Sequence, residues 1–115
     1  MSGKLYLVTR ADLRHGSQAA QLVHGMATFA REYPSTFEAW ERTSNVVVCL
    51  TVPDQESLYD LSANAEELSE RTKDGLAISR FHEPDNKPGD QFTCVVLEPV
   101  EAFQALCKGL PLACR

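Results

Sequence analysis

The 115-residue sequence predicts an α/β fold, a three-layer α/β/α domain in which helices cover both faces of a mixed four-stranded sheet. Three observations predict it. Short apolar runs rich in β-branched residues alternate with longer stretches of helical period, in the order β-α-(α)-β-α-β-β-α. Helical crossovers separate the first three strands, which favours a mixed sheet with helices on both faces. The length allows one core and not two, and no repeat or low-complexity linker divides the chain, so residues 1–115 read as a single domain.

Leu5–Thr9 reads as a short buried strand. It leads through Arg10-Ala-Asp-Leu to Gly16 and Ser17, where a sharp turn and an N-cap residue open a helix that runs to about Tyr33 and is stopped by Pro34. At 100° per residue, Ala19, Leu22, Val23, Met26, Phe29, Ala30 and Tyr33 share one side, of which Leu22, Val23, Met26, Phe29 and Ala30 are expected in the core. Ser17, Gln21, His24, Thr28 and Arg31 form the opposite stripe. Ser35-Thr36 caps a brief helical piece through Trp40 and Glu41, with Trp40 as a packing anchor. Asn45–Val52 is the most hydrophobic run and is predicted to be a central strand. Pro53-Asp54 then starts a helix over Gln55–Thr72 that buries Leu58, Leu61, Ala65 and Leu68, closed by Gly75 as the C′ residue. Leu76–His82 is a third strand, Glu83–Gly89 a loop, Phe92–Leu97 a fourth strand, and Pro99 sets up a last helix to about Cys107.

Composition narrows the function classes. No apolar run approaches the 18 or so residues that a membrane span needs, so no membrane partner is expected. The start, MSGKLYLVTRAD, lacks a signal-peptide pattern, and the expected location is the cytoplasm. None of the 4 cysteines forms a CxxC pair, and they are expected to be buried and reduced. The histidines at 15, 24 and 82 have no metal-ligand spacing, so no metal site is expected, and neither dinucleotide, P-loop, HExxH nor GxSxG motifs occur. The net charge of −5 at first argues against nucleic acid, and no DNA partner is expected, but the charge resides in one segment: Asp54–Asp74 holds seven acids against two bases, and the rest of the chain balances. Without a long basic stripe, tight RNA binding is not implied.

The polar stripe of the first helix has two readings. It is the solvent face of an ordinary surface helix, or it belongs to a site. The second reading rests on the helix N-terminus, whose free N–H groups and dipole favour an anion such as phosphate, with Arg10, Arg14 and His15 just upstream and His24 two turns in.

Arg10-x-Asp12-Leu13 after the first strand, the AAQxxHxxA element over Ala19–Ala27, Val46–Val48, Pro53-Asp54 before an acidic helix, and Thr93-Cys-Val-Val-Leu-Glu-Pro99 together resemble the type 2 peptidyl-tRNA hydrolase family over nearly the whole chain. The resemblance implies a homodimer and hydrolysis of the ester joining a nascent peptide to the 3′-terminal ribose of tRNA, without a cofactor. That reaction needs an activated water, a group to stabilise the oxyanion and cations for the phosphates. Carried over by position, His24, Gln21, Glu83 and Thr93 are the expected catalytic set, with Glu83 standing where the family usually has aspartate. Arg10, Arg14, Ser17 and Lys87 are the expected substrate-binding residues, and Asp12 belongs with Arg10 to the motif before the helix. One departure stands out: Ser17 occupies the position where the family usually has a lysine, four residues before the glutamine, and the loop between Leu13 and Gln21 is two residues shorter. Serine supplies no fixed charge, so weak turnover of peptidyl-tRNA is the leading expectation. The alternatives are a catalytically lapsed member that binds RNA or protein, and hydrolysis of a smaller ester or amide.

Overall fold

The computed structural model describes residues 3–84 and 91–115. Its elements are β1 (Leu5–Arg10), α1 (His15–Glu32), α2 (Pro34–Thr43), β2 (Val47–Val52), α3 (Gln55–Glu70), β3 (Ile78–Glu83), β4 (Gln91–Leu97) and α4 (Glu101–Leu106). The strands form one sheet in the order β2-β1-β4-β3. β1 and β2 run parallel, and β4 is antiparallel to both β1 and β3, so the sheet is mixed, as expected. Strand alternation divides the core in two. Tyr6, Val8, Leu50, Val52, Val95 and Leu97 pack under α3 and α4 against Leu58, Leu61, Ala65 and Phe103. Leu5, Leu7, Cys94 and Val96 pack under α1 and α2 against Leu22, Phe29 and Trp40. These are the three predicted layers.

Several boundaries and positions differ from the sequence reading, each for a local reason. β2 lies at the sheet edge rather than in the centre. Its apolar character is explained by what lies on its outer side: the C-terminal tail bridges it at Leu112 opposite Leu50, with Thr51 N–H donating to the Pro111 carbonyl and Ala113 N–H to the Cys49 carbonyl, both at 2.9 Å. Asn45 stands outside β2 because its positive φ of 54° turns the chain there, and the Trp40 indole N–H secures the turn by donating to the Val46 carbonyl at 2.9 Å. Helix α1 starts two residues earlier than predicted, at His15, with Arg14 in the N-cap place, so Ser17 lies inside the first turn and caps nothing. Pro34 both ends the run of α1 and occupies the first position of α2, where its fixed φ suits a helix start. Gly75, at φ 71°, serves a turn four residues beyond the capping position at Arg71.

The buried face of α1 is rotated from the predicted one. Gln18, Leu22, Gly25 and Phe29 point into the protein, whereas Val23 is 67% exposed and Ala19 is exposed. Met26 and Ala30 are half-buried at the margin of this face. Gly25 explains the rotation. A Cβ built there would lie 2.3 Å from the Cys94 sulfur and 3.1 Å from Val96 Cγ2, so α1 approaches β4 at a point where no side chain fits between them. The four cysteines are free, but only Cys94 and Cys107 are buried; Cys49 is half-buried and Cys114 exposed. Burial pushes the Cys107 thiol up to about 11 and that of Cys94 higher still.

Helix α3 begins as predicted because Asp54 accepts hydrogen bonds from the Ser57 backbone N–H at 2.9 Å and the Ser57 hydroxyl at 2.8 Å. Both bonds favour the charged carboxylate and hold its pKa below the usual range. The stabilisation is therefore present above the ordinary carboxylate pKa and is lost as pH falls through the lowered value of the folded state. Asp54→Ala should lower the thermal midpoint at neutral pH, and the gap from wild type should close in acid, as followed by circular dichroism across a pH series. Gly25→Ala should destabilise by roughly 1–3 kcal/mol by overpacking against Cys94, although alanine is the better helix former. Adding Cys94→Ala should restore part of that loss in a urea titration, because it removes the sulfur that the new methyl meets.

Candidate functional site

The site begins with an irregularity in the sheet. Along β3 and β4, Phe81 stands opposite Cys94, but the next pair is His82 opposite Phe92, followed by Glu83 opposite Gln91. Thr93 is passed over, which makes it the extra residue of a β-bulge. Phe92 packs under α3, while Cys94 packs under α1. The bulge turns the Thr93 side chain toward α1 as well, where its hydroxyl donates to Gln21 Oε1 at 2.7 Å. Thr93 is buried, so this bond fixes the Gln21 amide from within the protein.

Side chains secure the backbone around the bulge. The Thr9 hydroxyl, at the end of β1, donates to the Thr93 carbonyl at 2.7 Å. Phe92 N–H donates to Gln55 Oε1, also at 2.7 Å, which ties the first turn of α3 to β4. Arg10 Nη1 donates to Gln91 Oε1 at 3.0 Å and to the Phe92 carbonyl at 3.4 Å. Its Nε and Nη2 form a two-pronged pair with the Asp12 carboxylate, both at 2.9 Å. A bidentate pair of this kind fixes the guanidinium plane as well as its position.

His24 follows Gln21 by almost one turn of α1, and its ring lies on that of Phe81, with centroids 4.9 Å apart and planes at 19°. Glu83 is two residues beyond Phe81, so strand alternation gives it the same face of the sheet. Its Oε2 atom is buried without a hydrogen-bond partner among the described residues. A carboxylate oxygen in that condition calls for a donor, such as a water or a substrate hydroxyl.

Of the expected catalytic residues, Gln21 and Thr93 are in direct contact, and His24 and Glu83 flank Phe81 on the same face. Of the expected substrate-binding residues, Arg10 is buried and engaged with Asp12, Gln91 and Phe92. Arg14 and Ser17 are exposed at the start of α1. Lys87, with most of the predicted loop, lies outside the described residues. The sequence reading missed Thr9 and Gln55, which hold the bulge, and Gln18, which ties the loop before α1 to the chain's tail. Gln18, Leu22, Gly25 and Phe29 are spaced by four, three and four residues, and that spacing was the available signal for the true inner face.

Among the described residues, no three histidine, cysteine or acidic side chains group closely enough to hold a metal ion, and no helix is long and apolar enough to cross a membrane. A hollow of about 720 Å³ lies between Tyr6, Val48, Leu50 and α4 on the other face of the sheet and contains none of the site residues. The chemistry and this hollow are therefore in different places, and the hydrogen-bonded cluster defines the site.

Comparison with known proteins identifies the family. The family model described as "Peptidyl-tRNA hydrolase PTH2" matches residues 3–112. A peptidyl-tRNA hydrolase of Thermococcus onnurineus (strain NA1) is 30% identical over 102 residues, covering 84% of this chain and 83% of that protein. The match spans every strand and helix that builds the bulge and its supports, and on that basis the chain belongs to the peptidyl-tRNA hydrolase PTH2 family.

Proposed function

We propose that the protein is a peptidyl-tRNA hydrolase that cleaves the ester between a peptide and the 3′-terminal ribose of tRNA. The observation that carries this reading is the Thr93–Gln21 hydrogen bond made possible by the bulge. With Oε1 held by the Thr93 hydroxyl, the Gln21 amide presents its NH2 group as a donor for the oxyanion that forms when water adds to the ester carbonyl. Glu83 Oε2 accepts a hydrogen bond from the attacking water. The His24 imidazole, held flat on Phe81, exchanges the proton between that water and the departing ribose oxygen. The C–O bond to the ribose breaks as the bond to water forms, giving a free peptide carboxylate and an intact tRNA end.

This assignment needs no metal and no cofactor, and the substrate is RNA rather than DNA or a lipid surface. A homodimer in the cytoplasm completes the reading, and light scattering of the purified protein tests the dimer. Turnover is expected to be weak because Ser17 gives the site no fixed positive charge and Arg10 is committed to Asp12.

The test is hydrolysis of an N-blocked aminoacyl-tRNA, followed by release of the labelled amino acid. Thr93→Val keeps the shape of the side chain but frees Gln21, and should lower kcat by about 10²-fold with little change in KM, since misplacing a catalytic group by an ångström costs that much. Equal activity of wild type and Thr93→Val would remove Gln21 from the mechanism. An inactive wild type that still binds tRNA would instead favour a binding module. Ser17→Lys should raise activity, because a missing electrostatic donor typically costs about 10²–10³-fold and position 17 stands one turn before Gln21. Ser17 is not the cap of α1, so the substitution removes no capping bond, but a lysine in the first turn opposes the helix dipole at a cost of about 0.3–1 kcal/mol, and the unfolding midpoint is therefore measured beside the rate.

A further inference from the structure

We propose that a second hollow, between the start of α1, the end of β2 and the C-terminal tail, binds a phosphate group. It measures about 410 Å³, and its walls include His15, Gln18, Thr51, Pro111, Leu112 and Arg115. No phosphate-binding role for Thr51, His15 or Arg115 follows from the hydrolase reading above. That an anion binds here stands on the geometry alone; that the anion is an RNA phosphodiester rests on that reading.

The walls are fixed in place. Gln18 is buried and uses both ends of its amide: Nε2 donates to the Leu13 carbonyl at 2.9 Å and Oε1 accepts from Cys114 N–H at 2.8 Å. One side chain thus joins the loop before α1 to the tail. The tail is held on its other side by the Thr51 N–H bond to the Pro111 carbonyl. A preformed hollow of this kind binds without the cost of ordering its walls.

Its polar groups favour a tetrahedral anion. The first hydrogen bond of α1 runs from Gln18 N–H to the Arg14 carbonyl, so the N–H groups of His15, Gly16 and Ser17 have no acceptor within the helix. No side chain caps them, and the first turn contains no acid. Of these three residues, His15 lines the hollow, and Gly16 and Ser17 are exposed beside it. Thr51 adds a polar group from the sheet. The residue is 4% exposed and lines the hollow, and strand alternation gives its side chain the α1 face of β2, shared with Cys49. Thr9, its partner across β1, donates its hydroxyl to Thr93, but the Thr51 hydroxyl makes no hydrogen bond among the described residues. A threonine hydroxyl can donate to a phosphate oxygen, while the His15 imidazole offers a further N–H donor and Arg115 a guanidinium at the rim. Of the two acids nearest in sequence, Asp12 is paired with Arg10, and Asp54 is engaged by the Ser57 N–H and hydroxyl at the start of α3.

The position suits the hydrolysis reaction. Gln18 precedes Gln21 by one turn on α1, and Thr51 is beside Thr9, which holds the Thr93 carbonyl. A phosphodiester seated in the hollow would place the RNA backbone next to the site and supply anchoring that Ser17 cannot.

The test is titration of the full chain with inorganic phosphate, followed by amide and methyl NMR at ionic strength matched with sodium chloride. Phosphate should shift the amides of His15–Ser17 and the Thr51 methyl along one saturable curve. Thr51→Val, which keeps the shape and loses the hydroxyl, should weaken binding by about three- to tenfold, the worth of one hydrogen bond. Arg115→Gln should weaken it as well. Absence of a saturable shift in wild type, or equal affinity in wild type and Thr51→Val with both folded by circular dichroism, overturns the proposal. A short oligoribonucleotide ending in CCA separates the sources of phosphate. Shifts of the same residues at lower concentration than inorganic phosphate assign the hollow to RNA, and shifts with inorganic phosphate and a mononucleotide only assign it to a small phosphate compound. Both outcomes support a phosphate site. Because binding is read without turnover, an inactive enzyme leaves this test intact, and a failed titration leaves the hydrolase reading intact.

Discussion

One residue too many in β4 sets the geometry on which the site depends. Had β4 paired with β3 in perfect register, Thr93 and Cys94 would face opposite sides of the sheet. The bulge puts both on the α1 side, so Cys94 can meet the bare backbone at Gly25 while Thr93 reaches Gln21. A bulge leaves backbone groups without ladder partners, and inside a protein each such group is costly. Here the side chains of Thr9, Gln55 and Arg10, with Asp12 acting through Arg10, satisfy those groups from β1, α3 and the loop after β1. The bulge is thus locked rather than merely tolerated, and its position cannot drift along the strand without breaking bonds to β1 and α3 together.

That lock changes the meaning of Arg10. In the sequence it is a cation beside a helix N-terminus, which suggests a ligand for phosphate. In the fold it is 9% exposed, and its donors are turned toward Asp12, Gln91 and the Phe92 carbonyl. A guanidinium with its planar fork already matched by a carboxylate has little left to offer an incoming anion. Its contribution to the site is to hold β4, and through β4 the Thr93 hydroxyl. Positive potential near the site must then come from exposed groups and from the uncapped end of α1.

How far the sequence could be read follows from the range of the interactions involved. Strand and helix identities were legible because they rest on local period and on turn chemistry, as with Asp54 at α3 or Pro34 between α1 and α2. The family resemblance rested on residues such as Gln21, His24 and Thr93, whose grouping a linear motif does carry. What failed depended on contacts made at a distance. Val23 fits an apolar stripe as well as Leu22 does, and only the close approach of Gly25 to Cys94 decides which way α1 turns. Val47–Val52 has the composition of a central strand because the tail covers its far side, and nothing in the run itself shows that. The bulge is invisible for the same reason: one threonine among FTCVVL looks like any other strand residue until its partner strand is in place.

The three-layer arrangement also reconciles a net charge of −5 with a polyanionic substrate. The excess acid lies between Asp54 and Asp74, most of it on α3, which covers the face of the sheet away from α1. Two of those acids are held in pairs, Glu67 with Arg71 and Glu66 with Arg80. Layers in such folds are spaced by about 10 Å, and at physiological salt the field of an exposed charge decays over about 8 Å. An RNA approaching the start of α1 therefore meets Arg14, Arg115 and the positive end of a helix dipole, while most of the acids along α3 lie across the sheet and are largely screened. Net charge describes how the molecule repels its own kind in solution. The sign felt by a ligand is set by which helix bears the charge and which face of the sheet that helix covers.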